Sequence, residues 1–474
     1  MMLWPKFRAL ALVAQALVAS QLWTIVDAKS AVGDRVLVVI EPALNQASYS
    51  HFWQSLEARG FKLTFKGPKE EQAPLTEYDE NKFDHLIMMA PTTTSFSSTL
   101  KPQRLVADMT AHHINTLFVL SPSISEAQRD LAREFDIEFQ ERDTALIDDF
   151  HYSPASSKHD QVLLNISSGL DSETPTTIVP STLRTSSNPI LYNGIVHTLG
   201  QNPYLIPVLH AGETAFSDDL TELDEDELLD RKKKTVISGE QAYLASAMQS
   251  RGNARIGWIG SEAMLRDDSW AAKVEDQDGR SYTTVNGHFA EAFTAWIFQE
   301  KGVLKVIHTE HHRVNETESR EMYRIKDDVT YSATISEYTT ENGQSSWRPF
   351  SAVDIQLDFT MLDPHVRTSL HERAVTADGQ ATEYDVTFKC PDRHGVFKFV
   401  LDYWRPGYTF IHEQSVVSVV PFRHDEYPRF IQGAWPFYTG AFLTSAVFLS
   451  FCGLWLYSVE GGNKVVAVKV QKTQ

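Results

Sequence analysis

The chain has 474 residues, 62 acidic against 43 basic side chains for a formal charge of −19, and two cysteines, Cys390 and Cys452. So acidic a surface repels phosphate backbones, which excludes nucleic acid as a partner. Two thiols cannot brace a chain this long, so it must fold around two or three large apolar cores.

At the N-terminus, Lys6 and Arg8 precede an apolar stretch, Ala9 to Trp23, and the small-residue pattern Val26-Asp27-Ala28. This predicts a signal peptide cleaved after Ala28 rather than a first membrane anchor, for which the stretch is short. The mature chain then alternates strand and helix signals. Val36 to Pro42 (VLVVIEP) is apolar and rich in β-branched residues, and His51 to Gly60 puts Phe52 and Leu56 at helical spacing before a glycine suited to a C-cap. Phe61 to Phe65 alternates as a half-exposed strand, while HLIMMAP and INTLFVL are further buried runs. Ala254 to Ser261 reads as another central strand, and His288 to Glu300 sets Phe289, Phe293, Trp296 and Ile297 on one helical face. Together these predict a doubly wound α/β domain over residues 29–302 with an elaboration near 161–250. Within that elaboration, Asp218 to Asp230 holds eight acids in thirteen residues, read as a solvated surface excursion rather than a docking or ion-binding loop.

From Val303 the pattern becomes one of alternating strands: Tyr331 to Tyr338, Val353 to Phe359, Tyr384 to Phe388, Val396 to Tyr403 and Ser415 to Val420, separated by turn residues. This predicts a β-sandwich of immunoglobulin-like size over 303–429, without the paired cysteines of antibody domains. Phe430 to Val459 then runs 30 residues without a charge, bounded by Trp435, Phe437 and Tyr438 on one side and Trp455 and Tyr457 on the other. It is long enough to cross a bilayer, with aromatic rings placed for the headgroup levels. Gly440/Thr444 and Ala441/Ser445 are small pairs that permit close helix packing. The tail 460–474 carries Lys464, Lys469 and Lys472 against Glu460, which predicts a cytoplasmic tail and places residues 29–429 on the lumenal side. Setting aside the presequence (net +1) and the tail (net +2) leaves −22 on that part. Asn165 and Asn315, each in an N-x-S/T triplet, are candidate glycosylation sites in such a compartment.

Catalytic signatures are sparse. The first strand runs into Glu41-Pro42-Ala43-Leu44 with no glycine to cradle a phosphate, and no P-loop, G-x-G-x-x-G or G-x-S-x-G occurs. The α/β cadence resembles class I glutamine amidotransferase-like domains, whose nucleophile is a cysteine, yet residues 29–389 contain none. Asp224-Glu225-Asp226 and Asp276-Gln277-Asp278 are read as chance acidic pairs rather than metal holders. His308, His311 and His312, and likewise His112 and His113, are read as hydrogen-bonding groups between domains rather than zinc ligands. No cofactor or metal is expected in this chain. The rival is a self-sufficient lumenal enzyme using carboxylates in the α/β cleft.

Taken in order, DRVLVVIEPALN, HFWQSLEARGFKLTF, HLIMMAP, NARIGWIGS, AFTAWIFQEKGVLKV, HHRVNET, DIQLDFTMLDPHVRT, HGVFKFVLDYWRPGY and YPRFIQGAWPFYTGAF resemble the 48-kDa subunit family of eukaryotic oligosaccharyltransferases over nearly the whole mature chain. The resemblance implies a type I membrane protein of the endoplasmic reticulum. It implies a non-catalytic place in the complex that transfers a preassembled glycan from dolichol diphosphate to asparagine, with a share in presenting that donor. The implied partners are a polytopic catalytic subunit, which carries the divalent metal, and ribophorin-type and DAD-type membrane subunits. Some relatives end in a dilysine signal, whereas here Lys472 stands third from the end and Gln471 fourth, so the resemblance implies retention through assembly.

Overall fold

The computed structural model describes residues 30–70, 75–78, 80–219, 237–341, 344–427 and 429–459. Ala28 and its presequence, most of the acidic run including Asp224 and Asp226, the Asn342-Gly343 turn and the 460–474 tail lie outside these residues.

β1 (Arg35–Ile40) is aliphatic from Val36 onward and buried on both faces over Val36 to Val39, as a central parallel strand must be. α1 (Ser50–Ala58) turns Phe52, Trp53 and Leu56 inward, and the chain reverses at Gly60, whose φ of 88° suits a residue without Cβ. The α/β domain continues with β2 (Lys62–Lys66), β3 (His85–Met89), α2 (Pro102–Ala111), β4 (Asn115–Val119), α3 (Glu126–Arg133), β5 (Ile137–Phe139), β6 (His197–Leu199), β7 (Leu205–His210), β8 (Tyr243–Gln249), β9 (Arg255–Ile259) and α4 (Asn286–Ile297). One sheet runs β2-β1-β3-β4-β9-β8-β6-β5, with β7 also paired to β8. Its first five strands are parallel and the others antiparallel. α1 and α4 pack Phe52, Leu56, Phe289 and Phe293 on the face of Val36 and Val38. α2 and α3 pack Leu105, Met109 and Leu131 on the face of Leu37 and Val39. The sheet is thus covered on both sides, as a doubly wound domain requires.

The region expected as an elaboration near 161–250 is only partly one. A hairpin of Val162–Asn165 and Pro189–Tyr192 stands apart, but β6, β7 and β8 are strands of the main sheet.

The second domain begins with β10 (Val303–Arg313), β11 (Met322–Arg324), β12 (Asp328–Glu341), β13 (Gln344–Pro349), β14 (Gln356–Thr360), β15 (His365–Ser369), β16 (His371–Val375), β17 (Thr382–Lys389), β18 (Gly395–Tyr403) and β19 (Ile411–Val420). One sheet has the order β10-β12-β17-β16 with β13 on β12; the other is β11-β19-β18-β14-β15. They share one core, in which Phe359, Phe388, Phe397, Phe399 and Tyr331 interlock; the Phe359 and Phe397 rings stack at 4.7 Å. Each strand hides alternate side chains, as in β18, where Phe397, Phe399, Leu401 and Tyr403 face inward. Cys390 is buried in this core, unpaired, and burial pushes its thiol up to about 12.

α5 (Trp435–Val459) stands clear of both domains, and the apolar span 432–458 has a mean hydropathy of 1.6. An apolar helix exposed all round calls for a lipid surrounding.

Candidate functional site

Open α/β sheets take ligands beyond the carboxyl ends of their strands, at the point where strand order reverses. Here that point lies between β1 and β3, and a side chain of the protein itself occupies it. Glu41, the residue after β1, is 3 % exposed. Its Oε2 accepts from the Thr92 amide at 3.1 Å and from the hydroxyls of Thr92 at 2.8 Å and Thr93 at 3.3 Å, in the loop after β3. Donors that could receive a ligand's anion therefore hold an internal carboxylate. Glu262, beyond β9, accepts from Arg266 at 3.2 Å, and burial raises its pKa against the pull of that guanidinium. Ser261, the hydroxyl nearest a nucleophile's position, bonds the Asn193 carbonyl and accepts from the Met264 amide at 3.2 Å. This edge offers anchored carboxylates and an engaged hydroxyl, with no thiol.

The most elaborate polar cluster serves the junction of the two domains. Arg255, at the start of β9, is fully buried. Its guanidinium donates to the carbonyls of Trp296 (2.8 Å), Lys301 (2.7 Å) and Gly302 (2.7 Å) and lies 4.6 Å from the Trp296 ring centre. Burial lowers its pKa to about 9. Those carbonyls belong to the end of α4 and the start of the connection to β10, where a cation is favoured; Trp296 also accepts from the Gln299 amide and Gly302 from the Thr409 amide. Trp296 Nε1 donates to the Gly407 carbonyl at 2.8 Å, Gln249 to that of Tyr408 at 2.6 Å, and Asn253 exchanges two bonds with Phe410. The 405–410 loop of the sandwich is thereby fastened to α4 and to the β8–β9 turn.

A cavity of about 870 Å³ lies beside α1 and α4 and reaches Thr340 of β12. Two of its charged groups pair with each other: Arg59 donates to Glu300 at 2.7 Å and also to Thr294 at 2.8 Å. Elsewhere Asp148, with its side chain 2 % exposed, accepts from the Phe150 amide at 2.9 Å and the Thr214 hydroxyl at 2.9 Å and faces His151 Nδ1 at 3.3 Å. Sequence reasoning missed it because its partners are 66 residues apart in the case of Thr214.

The residues singled out from the sequence are dispersed. Asn165 is exposed, caps the short helix 166–169 and accepts from the Ser167 amide at 3.1 Å. Asn315 is exposed in the turn after β10 with φ of 72°. His311 and His312 are neighbours on one strand and point to opposite faces. His311 is buried, bonding Tyr323 at 2.8 Å and Ser415 at 3.1 Å, so its hydrogen bonds join the two sheets of the sandwich rather than the two domains. His308 is exposed. His112 and His113 close α2. Asp276 and Asp278 form a hairpin turn, where Asp276 accepts from the Arg280 amide at 2.9 Å. Among the described residues, no three His, Cys, Asp or Glu side chains are placed to hold a metal ion. In α5 the Thr444 and Ser445 hydroxyls bond back to the carbonyls of Gly440 and Ala441, which leaves a smooth stripe of small residues.

The family model described as "OST48, N-terminal domain" matches residues 27–300, and "OST48 middle domain" matches residues 311–459. The chain belongs to the OST48 family. The wbp1 subunit of dolichyl-diphosphooligosaccharide–protein glycosyltransferase from Schizosaccharomyces pombe is 35% identical, over 89% of this chain and 92% of that one. The 48 kDa subunits of the same enzyme from Caenorhabditis elegans and Arabidopsis thaliana are 33% and 30% identical, over 90% and 89% of this chain and 91% and 92% of theirs. Among solved structures, a putative ThuA-like protein of Parabacteroides merdae aligns with 48% of this chain and 78% of its own at 12% identity and a TM-score of 0.25. That score is too low to bear on the fold.

Proposed function

We propose that this OST48-family chain is a non-catalytic structural subunit of an oligosaccharyltransferase complex, anchored by α5 in the endoplasmic reticulum membrane with both large domains in the lumen. Its relatives are named as subunits of the glycosyltransferase that uses dolichyl-diphosphooligosaccharide. The observation that carries a non-catalytic role is the filled switch point, where Glu41 takes up the donors of the loop after β3. An amidotransferase-like architecture without its nucleophile fits the same reading. The rival enzyme working through carboxylates would need Glu41 free, and it is tied down.

In this reading the chain binds no cofactor; the divalent metal belongs to the polytopic catalytic subunit. Ribophorin-type and DAD-type subunits are the other partners, and the Gly440, Ala441, Thr444 and Ser445 stripe is the surface for helix contact within the bilayer. Support for presentation of the lipid-linked donor comes from the junction beside Arg255, where hydrogen bonds fasten the 405–410 loop to α4 and the β8–β9 turn. Asn165 and Asn315 are glycan acceptors, and Asn→Gln at each should remove one endoglycosidase-sensitive step in gel mobility. The test of the main reading is purification of the full chain from detergent extract. It should carry the catalytic subunit with it and, freed of that subunit, transfer no glycan to an acceptor peptide. Transfer by the lone chain would refute the proposal.

A further inference from the structure

The strands of the sandwich turn at two ends, and the end remote from the α/β domain is the one from which the chain leaves for the membrane. β19 reaches that end at Val420, level with Arg324 of β11 and Gly395 of β18. Thr360 pairs with His365 and Lys398, so the hairpin tip 361–364 emerges there too. The segment between β19 and α5 is held at both of its ends. Phe422 packs on the sandwich core and its ring meets that of Tyr427 at 5.6 Å. Arg324 binds Glu426 at 2.6 Å, and Glu426 also accepts from the Arg423 amide at 3.0 Å. On the other side, the Phe430 ring lies 6.0 Å from Trp435 and 5.2 Å from Tyr438 of the helix region. Three chain steps separate Tyr427 from Phe430 and span at most about 11 Å. This end of the sandwich is therefore held within that reach of the residues leading α5 into the bilayer.

The same end exposes apolar surface. Leu362, at the hairpin tip, is 103 % exposed, more than any other large apolar side chain among the described residues, while its neighbour Met361 packs back on the core. On the adjoining outer face of the sheet, Met322, Val396 and Val416 are each more than half exposed, and both Met322 and Val396 lie opposite Ser418. Single exposed apolar residues need no explanation, but a group beside a membrane anchor has a ready one. Three basic groups nearby are paired, Lys326 with Asp392 at 2.7 Å, Arg313 with Asp327 at 2.5 Å and Arg324 with Glu426, while the exposed Asp363 in the tip itself and Arg393, Lys398 and Arg423 around it form no ion pair among the described residues. Charges of both signs around an apolar tip suit a zwitterionic lipid surface, whose headgroups carry both signs, better than a strongly charged protein.

We propose that this end of the sandwich rests on the lipid surface and that the Leu362 tip enters the headgroup layer, a second membrane contact beside α5. The two contacts fix the tilt of the body. β19, ten residues long, then sets the α/β domain about 30 Å above the bilayer. Asn315 turns at the same end on the β10 side, whereas the tip lies beside β15 at the far edge of the other sheet, so a sugar there would occupy the rim. This inference goes beyond the proposed function and rests only on α5 spanning the membrane.

The test uses the full chain in phosphatidylcholine nanodiscs. Leu362→Cys in a Cys452→Ser background is labelled with a nitrobenzoxadiazole fluorophore; Cys390 is buried. The expected result is blue-shifted emission, quenched at least two-fold by phospholipid bearing a shallow nitroxide and protected from aqueous iodide. The same label at Asp378→Cys, in the β16–β17 turn at the opposite end, should respond to iodide and not to the lipid. Equal iodide access at the two positions would overturn the proposal. So would a Leu362 label shielded from both quenchers, since its cover would then be protein. Label on Cys452 of the unaltered chain reports separately whether α5 lies in the bilayer; failure of lipid quenching there removes the premise as well.

Discussion

The two large domains solve the same problem, a core without disulfides, in opposite ways. The interior of the α/β domain is laced with polar side chains: Arg255, His85, His197 and Asn115 are wholly buried and Glu300 nearly so. The sandwich interior is built of aromatic rings, with Phe399 within 4.7 Å of Phe359, 4.8 Å of His311 and 5.3 Å of Tyr331. A ring core tolerates modest change in proportion to the volume lost, whereas a polar core fails at single atoms because each stranded group bears its full desolvation cost. The α/β domain should therefore be the fragile and pH-sensitive partner.

The largest effect that separates the two belongs to Arg255. Arg255→Met strands the Lys301 carbonyl and Gln249 Oε1 at about 1–3 kcal/mol each and takes one of two donors from the Trp296 and Gly302 carbonyls at about 0.5–1.5 kcal/mol each, so a loss on the order of 5 kcal/mol is expected. Calorimetry of the full chain should show the α/β transition falling away from that of the sandwich. Next comes Phe399→Ala, expected to cost about 3–5 kcal/mol and to lower the sandwich transition instead. If Arg255→Met proved the milder of the two, the contrast between the cores would be wrong.

A third expectation concerns pH. Burial lowers His85 to about 4 and His197 to about 3. Both lie below the ordinary value near 6.5, so between these limits the unfolded state binds more protons than the folded one. Their contribution is complete above about pH 6.5 and is lost as pH falls toward 4 and then 3. His311 of the sandwich is shifted in the same direction but is only partly desolvated. The α/β transition should drop more than that of the sandwich between pH 7 and pH 5, and His85→Gln with His197→Gln should flatten that slope. The smallest effect is at Arg367, which is exposed and forms a two-pronged pair with Asp358 at 2.7 and 2.8 Å. Arg367→Leu should cost less than about 1 kcal/mol. Two arginines, one buried and one exposed, thus bracket the range.

The central strands and both main helices of the α/β domain could be read from the chain because burial on two faces leaves continuous apolar runs, as in β1, β3 and β4. The strands that escaped reading are edges. β15 and β16 carry His365, Arg367, His371, Glu372 and Arg373 and show scarcely any apolar alternation. The 161–250 region misled in the other direction, because β6 has only three residues and the pairing of β6 and β7 to β8 depends on partners dozens of residues away. At the candidate site, the absence of a nucleophile was legible, but Glu41 was noticed only as a residue that was not glycine. Its role depends on Thr92 and Thr93, 51 and 52 residues away, and no local pattern announces such a contact. His311 is a hydrogen-bonding group as its sequence suggested, but its partners Tyr323 and Ser415 lie on the facing sheet of the sandwich and not on the α/β domain, a placement that strand spacing alone does not reveal.

The central claim is that the sheet's ligand edge is closed and takes no part in chemistry. It is tested most directly by measuring glycan transfer per assembled complex containing Glu41→Gln and Glu262→Gln in this chain. The account predicts a rate within two-fold of the unaltered complex. A ten-fold loss in complexes of full composition and normal melting temperature would contradict it.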